Sequence, residues 1–476
     1  MTRSLRALAF FAALAGLATT LPGDVPCCDL RYRVSPDTES GAVDVVLEIR
    51  GFRGDSLVLL RSSARPLPGL LSEDPVVNGE APESWSMDDG SPRWTYRAPA
   101  AGWPDVLRVR YRLAVTAERP LNAWAVGLDR DLLYAPSEAL FLVPSMPELA
   151  AFHAPVRVSW DLPRGWDVFT GWSDGSFRGT RTLLKTDILA GDIERHRTNA
   201  CGVEVELGAH GEWDFDPRVL AEDLGRLVCA ARARLGDPGV DRYAVMLVEA
   251  RFPMTSGNRN GPHAIAFVHR LPDGTPPSTR LLAHELVHLW QRFDAPVWFQ
   301  EGVNDYMALR LAHEADLFDD AGYLGQLSAI DSVYRRHPRL REWSFAKEAE
   351  NAPPFGSSDE YLAYRKGALV GLALDRELRL RTGGENDIAV LWRDMNARAR
   401  FGQVTWSDDD IATRAAALAG GSVDHFFDEW VYGTTLLPPP AELLANLPDP
   451  TAPAPDRDTV STLAAFVQTS FRRLSD

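Results

Sequence analysis

The stretch "HELVHLWQRFDAPVWFQEGVNDY", His284–Tyr306, constrains this chain more than any other. Residues 278–290, "STRLLAHELVHLW", carry apolar side chains at helical spacing, so His284 and His288 share one helix face. Two imidazoles one turn apart can grip the same metal ion. Glu285 lies about 100° round the helix, within reach of a water on that ion. A catalytic zinc needs a third protein ligand and an open position. Asp294 and Pro296 are expected to end the first helix, after which "WFQEGVNDYMALRLA" restarts the helical period. The midpoint between His288 and Glu301 falls at residues 294–295, on that turn, so an antiparallel return brings Glu301 level with His288. Glu301 is therefore the expected third ligand of one zinc ion. Asp305, one turn further along the same face, is placed to accept the second N–H of a bound histidine. The competing reading of Asp305 is an exposed helix acid. Asn304 and Gln300 are expected at the surface.

The front of the chain follows a different pattern. Short runs such as "AVDVVLEIRGF", "VLRVRYRLAV", "ALFLVP" and "VRVSWDLP" alternate or cluster β-formers between Pro, Gly, Asp and Asn turns. They predict an all-β domain, sandwich-like or saddle-shaped, over residues 24–207. From Asp216 the period changes. "PRVLAEDLGRLVCAARARLG" predicts a helix ending at Gly236, Arg242–Phe252 a buried strand and His263–Arg270 another, with a glycine-rich connection between them. Helices are expected from Ser278 to about Asn446, the longest over Tyr361–Arg381. A Pro-rich linker and tail occupy residues 447–476 and could include a short final helix.

Residues 1–18 have Arg3 and Arg6, an apolar run over Ala7–Ala18, and small residues at Gly16 and Ala18. That layout predicts a cleaved signal peptide and an exported protein, periplasmic or secreted. No later apolar stretch is long enough for a membrane helix in the mature chain. The formal charge of -16 argues against nucleic acid or anionic lipid as partner. An oxidising compartment permits disulfides among Cys27, Cys28, Cys201 and Cys229. Adjacent Cys27 and Cys28 are poorly placed to bridge each other, and Cys201 with Cys229 is the favoured pairing. Lipidation at Cys27 is disfavoured by Pro26, and no CxxC spacing suggests a zinc–thiolate site.

With these residues in view, the chain resembles the gluzincin metallopeptidases, which include thermolysin and aminopeptidase N, and within them the glycyl aminopeptidase family. "HELVHLW" is similar to that family's zinc helix, and "WFQEGVNDY" to its Trp-x-x-Glu-Gly segment, whose glutamate binds zinc. "YLAYRKGALVGLALDRELRLRTGG" (Tyr361–Gly384) resembles its Tyr-x-Lys-Gly helix, and "FFDEWVYGTTLLP" (Phe426–Pro438) its closing segment. The resemblance spans about Asp216 to Asn446. It implies an α+β, multidomain fold: a thermolysin-like catalytic domain over 216–310, with a small mixed sheet and the HExxH helix, then a mostly helical region over 311–446. It implies a zinc metallopeptidase acting on peptide or protein substrates, with His284, His288 and Glu301 binding zinc and Glu285 activating water. Tyr364, two residues before Lys366, matches the tyrosine that stabilises the oxyanion, with Tyr361 the nearby competitor.

Two departures stand out. The insert between His288 and Glu301 is 12 residues, shorter than in typical members. Where those members carry a Gly-Gly-Leu-Glu-His-like segment, with a glutamate suited to hold a substrate amine, this chain has "RNGPHAIAF". Pro262 stands in the glutamate's place, and His263 matches a substrate-contacting position or is a structural histidine at a strand edge. The alternatives to a peptidase are a catalytically inactive peptide-binding member of the fold, a different zinc hydrolase such as an amidase or epoxide hydrolase, and a structural metal site.

Overall fold

The computed structural model describes residues 28–447 apart from 62–70, 89–90, 116–119, 121, 147–150, 152, 173–174, 238, 262, 352–360, 400–403 and 446. The expected signal peptide, Cys27, Pro262 and most of the Pro-rich tail lie outside these residues. The chain divides into two compact units. The first comprises residues 1–195, 208–212 and 244–274, the second residues 196–207, 213–243 and 275–476.

In the first unit, alternation dictates the sheets. Ala42–Arg50 turns Val43, Val45, Leu47 and Ile49 inward and Asp44 and Glu48 outward. It pairs antiparallel with Asp29–Asp37, setting Leu30 opposite Ile49 and Tyr32 opposite Leu47. Asp29–Asp37 in turn runs parallel to Pro155–Trp160. These strands belong to a six-stranded sheet, accompanied by two four-stranded sheets. Leu30, Tyr32, Val45, Leu47, Leu59, Trp94, Leu107, Val109, Phe141 and Val156 are part of one apolar core.

A further sheet has five strands in the order Glu194–Ala200, Val203–His210, Arg242–Glu249, Ala264–Arg270, Met254–Arg259. Arg242–Glu249 and Ala264–Arg270 are parallel neighbours, with Val245 opposite Ile265 and Leu247 opposite Phe267. Both are almost wholly buried, as their unbroken apolar runs require. The connection between them, expected as a glycine-rich loop, contains the edge strand Met254–Arg259, antiparallel to Ala264–Arg270. Its polar sequence, MTSGNR, has no β pattern, and pairing with the apolar neighbour decides its conformation.

The second unit is helical. Helix α1 (Pro217–Leu235) begins at Asp216, whose side chain accepts from Arg218 N, and stops at Gly236 with φ 87°. A disulfide joins Cys201 to Cys229 of α1, the pairing the sequence favoured. Helix α2 (Thr279–Leu289) carries the two histidines and is buried on every side from Leu282 onward. After a non-helical passage, a π-helical turn (Trp298–Val303) runs directly into α3 (Asn304–Glu314). Then come α4 (Asp320–Arg335), α5 (Phe345–Asn351), α6 (Tyr361–Thr382), α7 (Ile388–Ala399) and α8 (Asp408–Ala419). Trp298 stacks on Phe345 and Phe299 on Trp392, with ring centroids 5.5 and 5.7 Å apart.

A buried ionic group pins these helices together. Arg310 on α3 donates to Asp375 on α6 at 3.0 Å and to Asp387 at 2.7 Å. Tyr306 donates to Asp375 at 2.7 Å, and Arg234 of α1 reaches Glu314 at 2.8 Å. Each of these buried charges faces an opposite partner, so removing one would strand the other without a counter-charge.

Among the described residues, no helix is long and apolar enough to cross a membrane.

Candidate metal centre

The three residues expected to bind metal meet at one point. His284 Nε2 and His288 Nε2 lie 3.2 Å apart, and each is 3.3 Å from Glu301 Oε2. A tetrahedral zinc with ligand bonds of about 2.0–2.1 Å requires donors about 3.3 Å apart, and this donor set meets that requirement. Among the described residues, this is the one group of histidine, cysteine and acid side chains spaced for a metal ion.

Local structure explains the convergence. Ser278 caps α2 by accepting from Leu281 N, and the helix then presents His284 and His288 one turn apart. It ends at Leu289, earlier than Asp294 and Pro296 suggest. The passage that follows is held in the second unit by Asp294 N donating to Val404 O and Trp406 N donating to Asp294 O.

Glu301 returns on the π-helical turn. One extra residue in that turn re-aims the side chains around it, a device common at functional sites. A helical period read from sequence cannot show it. Two glycines seat the turn on α6. A Cβ added at Gly302 would lie 2.5 Å from both Ala363 O and Gly367 Cα, and one added at Gly367 would strike Trp298 O. The two backbones therefore touch directly, as only glycine allows. Glu301 and Tyr364 are thereby brought together, and Tyr364 stacks on His284 with ring centroids 6.3 Å apart.

Each imidazole has a partner behind it. Asp305 Oδ1 is 2.9 Å from His284 Nδ1, and Gln291 Oε1 is 3.2 Å from His288 Nδ1. The Gln291 amide is oriented by donating to Phe293 O at 3.1 Å. Asp305 also accepts from Arg280 and Arg365, at 3.2 and 3.4 Å. Asn304, expected at the surface, is fully buried and donates to His284 O at 3.1 Å. The turn preceding α3 points it inward, against what its polarity suggested. Gln300 is half-buried and accepts from Ala295 N. Gln291 and Arg280 escaped the sequence reading, although each stands one helical turn from a histidine, three residues after His288 and four before His284.

The electrostatics follow from this packing. Burial alone would lower the His284 pKa, but hydrogen bonds to Asp305 and Glu301 outweigh it and push it up to about 10. Burial opposes the charge of Glu301, yet bonds to both imidazoles hold its carboxyl well below the usual carboxylate range. Asp305 is likewise lowered against its burial, by His284 and the two arginines. Burial, with the negative charge of Glu301, pushes the Tyr364 hydroxyl well above its ordinary value, so it stays protonated and donates to Glu301. Lys366 is driven down to about 8 by burial. It donates to Gly433 O at 2.9 Å and sits over the Phe345 ring, tying the closing segment to α6. Glu285 is buried beside His284. His263 stands exposed just before strand Ala264–Arg270.

The fold is similar to that of solved M1 zinc metallopeptidases. It is similar to a solved aminopeptidase N family protein from Idiomarina loihiensis, at TM-score 0.70 and 18% identity over 88% of this chain and 78% of that one. It is also similar to an M1 zinc metallopeptidase from Deinococcus radiodurans, at TM-score 0.54 and 17% identity over 88% and 96% of the two chains. A variant of the latter bound to the substrate Tyr-Ser-Ala matches at TM-score 0.51 and 18% identity, over 90% and 96%. The α+β, multidomain organisation expected from the sequence is thus present. Compared by sequence, the chain matches none of the family profiles and none of the curated proteins.

Proposed function

We propose that the protein is a zinc-dependent peptidase, with one zinc ion held by His284, His288 and Glu301. The observation that carries this reading is the 3.2–3.3 Å triangle of donor atoms, which matches the spacing tetrahedral zinc needs. A zinc ion there supplies Lewis-acid polarisation and lowers the pKa of water. Glu285 takes the proton from the attacking water and passes it to the leaving amine. Tyr364, kept protonated by its surroundings, donates to the oxygen that gains charge at the scissile carbonyl. Asp305 and Gln291 fix the tautomers of the two histidines.

The solved relative with bound Tyr-Ser-Ala supports peptides as the substrate class. The Tyr-x-Lys-Gly helix and the closing segment support the narrower likeness to glycyl aminopeptidases, and the Cys201–Cys229 disulfide supports an exported protein.

Turnover of a mixed peptide library by the full chain tests the reading. We expect chelator to abolish hydrolysis and zinc to restore it, with zinc binding weaker at low pH because protons compete for the imidazoles. Hydrolysis that survives metal removal would overturn it. Replacing Asp305 by alanine is expected to weaken zinc binding about 10–100-fold, since His284 loses its orienting partner. Competition with a chromophoric chelator measures that loss, and an unchanged affinity would show that Asp305 does not act on the metal centre.

A further inference from the structure

The short helix α5 touches both segments that supply the candidate centre. Its Phe345 ring stacks on Trp298, the first residue of the π-helical turn that carries Glu301, with centroids 5.5 Å apart. Its Glu348 reaches the other segment, where Oε1 accepts from Ala363 N near the start of α6 at 3.3 Å. Lys366, one turn further along α6, sits 4.6 Å over the Phe345 ring and is attracted to the Glu348 charge. Glu301 and Tyr364 thus lie on two segments that α5 joins from one side.

Glu348 is 5% exposed, and a carboxylate at that depth is costly unless it is paired and hydrogen-bonded. The start of a helix favours a negative charge, and Lys366 supplies the opposite one. The bond to Ala363 gives the carboxylate a fixed place. Ala363 is also the residue whose carbonyl a Cβ on Gly302 would strike. Its N–H is therefore held by α5 while its carbonyl abuts the π-helical turn. Tyr364 follows directly, so these two contacts set where its ring stands relative to Glu301 and His284.

We propose that Glu348 is a positioning residue for the reaction: by holding the Ala363 amide, it sets Tyr364 at the place from which its hydroxyl reaches the scissile carbonyl oxygen. The assignment rests on the peptidase reading and on the role given there to Tyr364. What matters in Glu348 is the place of its acceptor oxygen. Its charge favours burial beside Lys366 but does not touch the substrate.

Three variants of the zinc-loaded full chain test this with one peptide substrate. Glu348→Gln keeps an oxygen in place, Glu348→Asp keeps the charge but withdraws the oxygen by one methylene, and Glu348→Ala removes both. Asp and Ala are expected to lower kcat about 10–100-fold, the scale of a small misplacement of a reacting group. KM and zinc affinity should stay within about 3-fold of wild type, and the Gln variant should keep most of its kcat. In a Tyr364→Phe background, Asp and Ala should cost nothing further, because the group they misplace is already gone. Full kcat in the Asp variant, or an equal loss in the Tyr364→Phe background, would overturn the proposal. The Asp variant preserves the counter-charge of Lys366, so it decides the matter even if the Ala variant does not fold. If the wild-type chain hydrolyses no peptide, the peptidase reading fails, and the fluorine signal of 3-fluorotyrosine placed at position 364 decides the positioning role instead. That signal is expected to move in Glu348→Asp and to hold in Glu348→Gln; a signal indifferent to both means that Glu348 does not place Tyr364.

Discussion

Glu285→Gln is expected to lower kcat by about 10²–10⁴ while the protein keeps its zinc. The amide matches the carboxylate in shape but cannot accept a proton from water at neutral pH. The ligand atoms of His284, His288 and Glu301 are untouched by the change, so their 3.2–3.3 Å spacing should persist. Metal content and peptide turnover measured on one preparation separate the two effects. Full activity in the variant would remove Glu285 from the mechanism, and loss of zinc would make it part of the binding site.

Gly302→Ala is expected to damage stability and metal binding together. The added Cβ would lie 2.5 Å from Ala363 O and from Gly367 Cα, and both obstacles are backbone atoms that no rotamer change can move aside. The π-helical turn must then lift from α6, at a cost of about 1–3 kcal/mol or more. Glu301 is the preceding residue and moves with it. Gly325 on α4 is the control, because a Cβ there meets nothing within 4 Å. Gly325→Ala is expected to leave zinc affinity unchanged and to stabilise the helix by up to about 1 kcal/mol. Thermal unfolding and zinc titration of both variants check the contrast; equal behaviour would mean the glycine contact does not hold the centre.

The sequence made parts of this arrangement legible for identifiable reasons. The i, i+4 histidines lie on one helix face by backbone geometry alone, and Glu301 was found because the hairpin centre falls midway between it and His288. Packing contacts were not legible in the same way. The close approach of Gly302 and Gly367 joins segments 65 residues apart, and only the pairing of two distant glycines hints at it. Tyr364 was singled out by likeness to a family, since a tyrosine on an amphipathic helix is ordinarily a packing residue. Asn304 was misplaced because polarity suggested solvent, whereas its amide supplies a donor to a buried carbonyl of α2. Strand Met254–Arg259 has no pattern of its own and is defined by its neighbour.

Zinc-edge X-ray absorption on the zinc-loaded full chain tests the three-residue grip most directly. The expected result is one zinc per chain with two imidazole nitrogens and a carboxylate oxygen at about 2.0–2.2 Å, the carboxylate contribution disappearing in Glu301→Ala. A protein that takes up no zinc, or a coordination shell unchanged by that substitution, would contradict it.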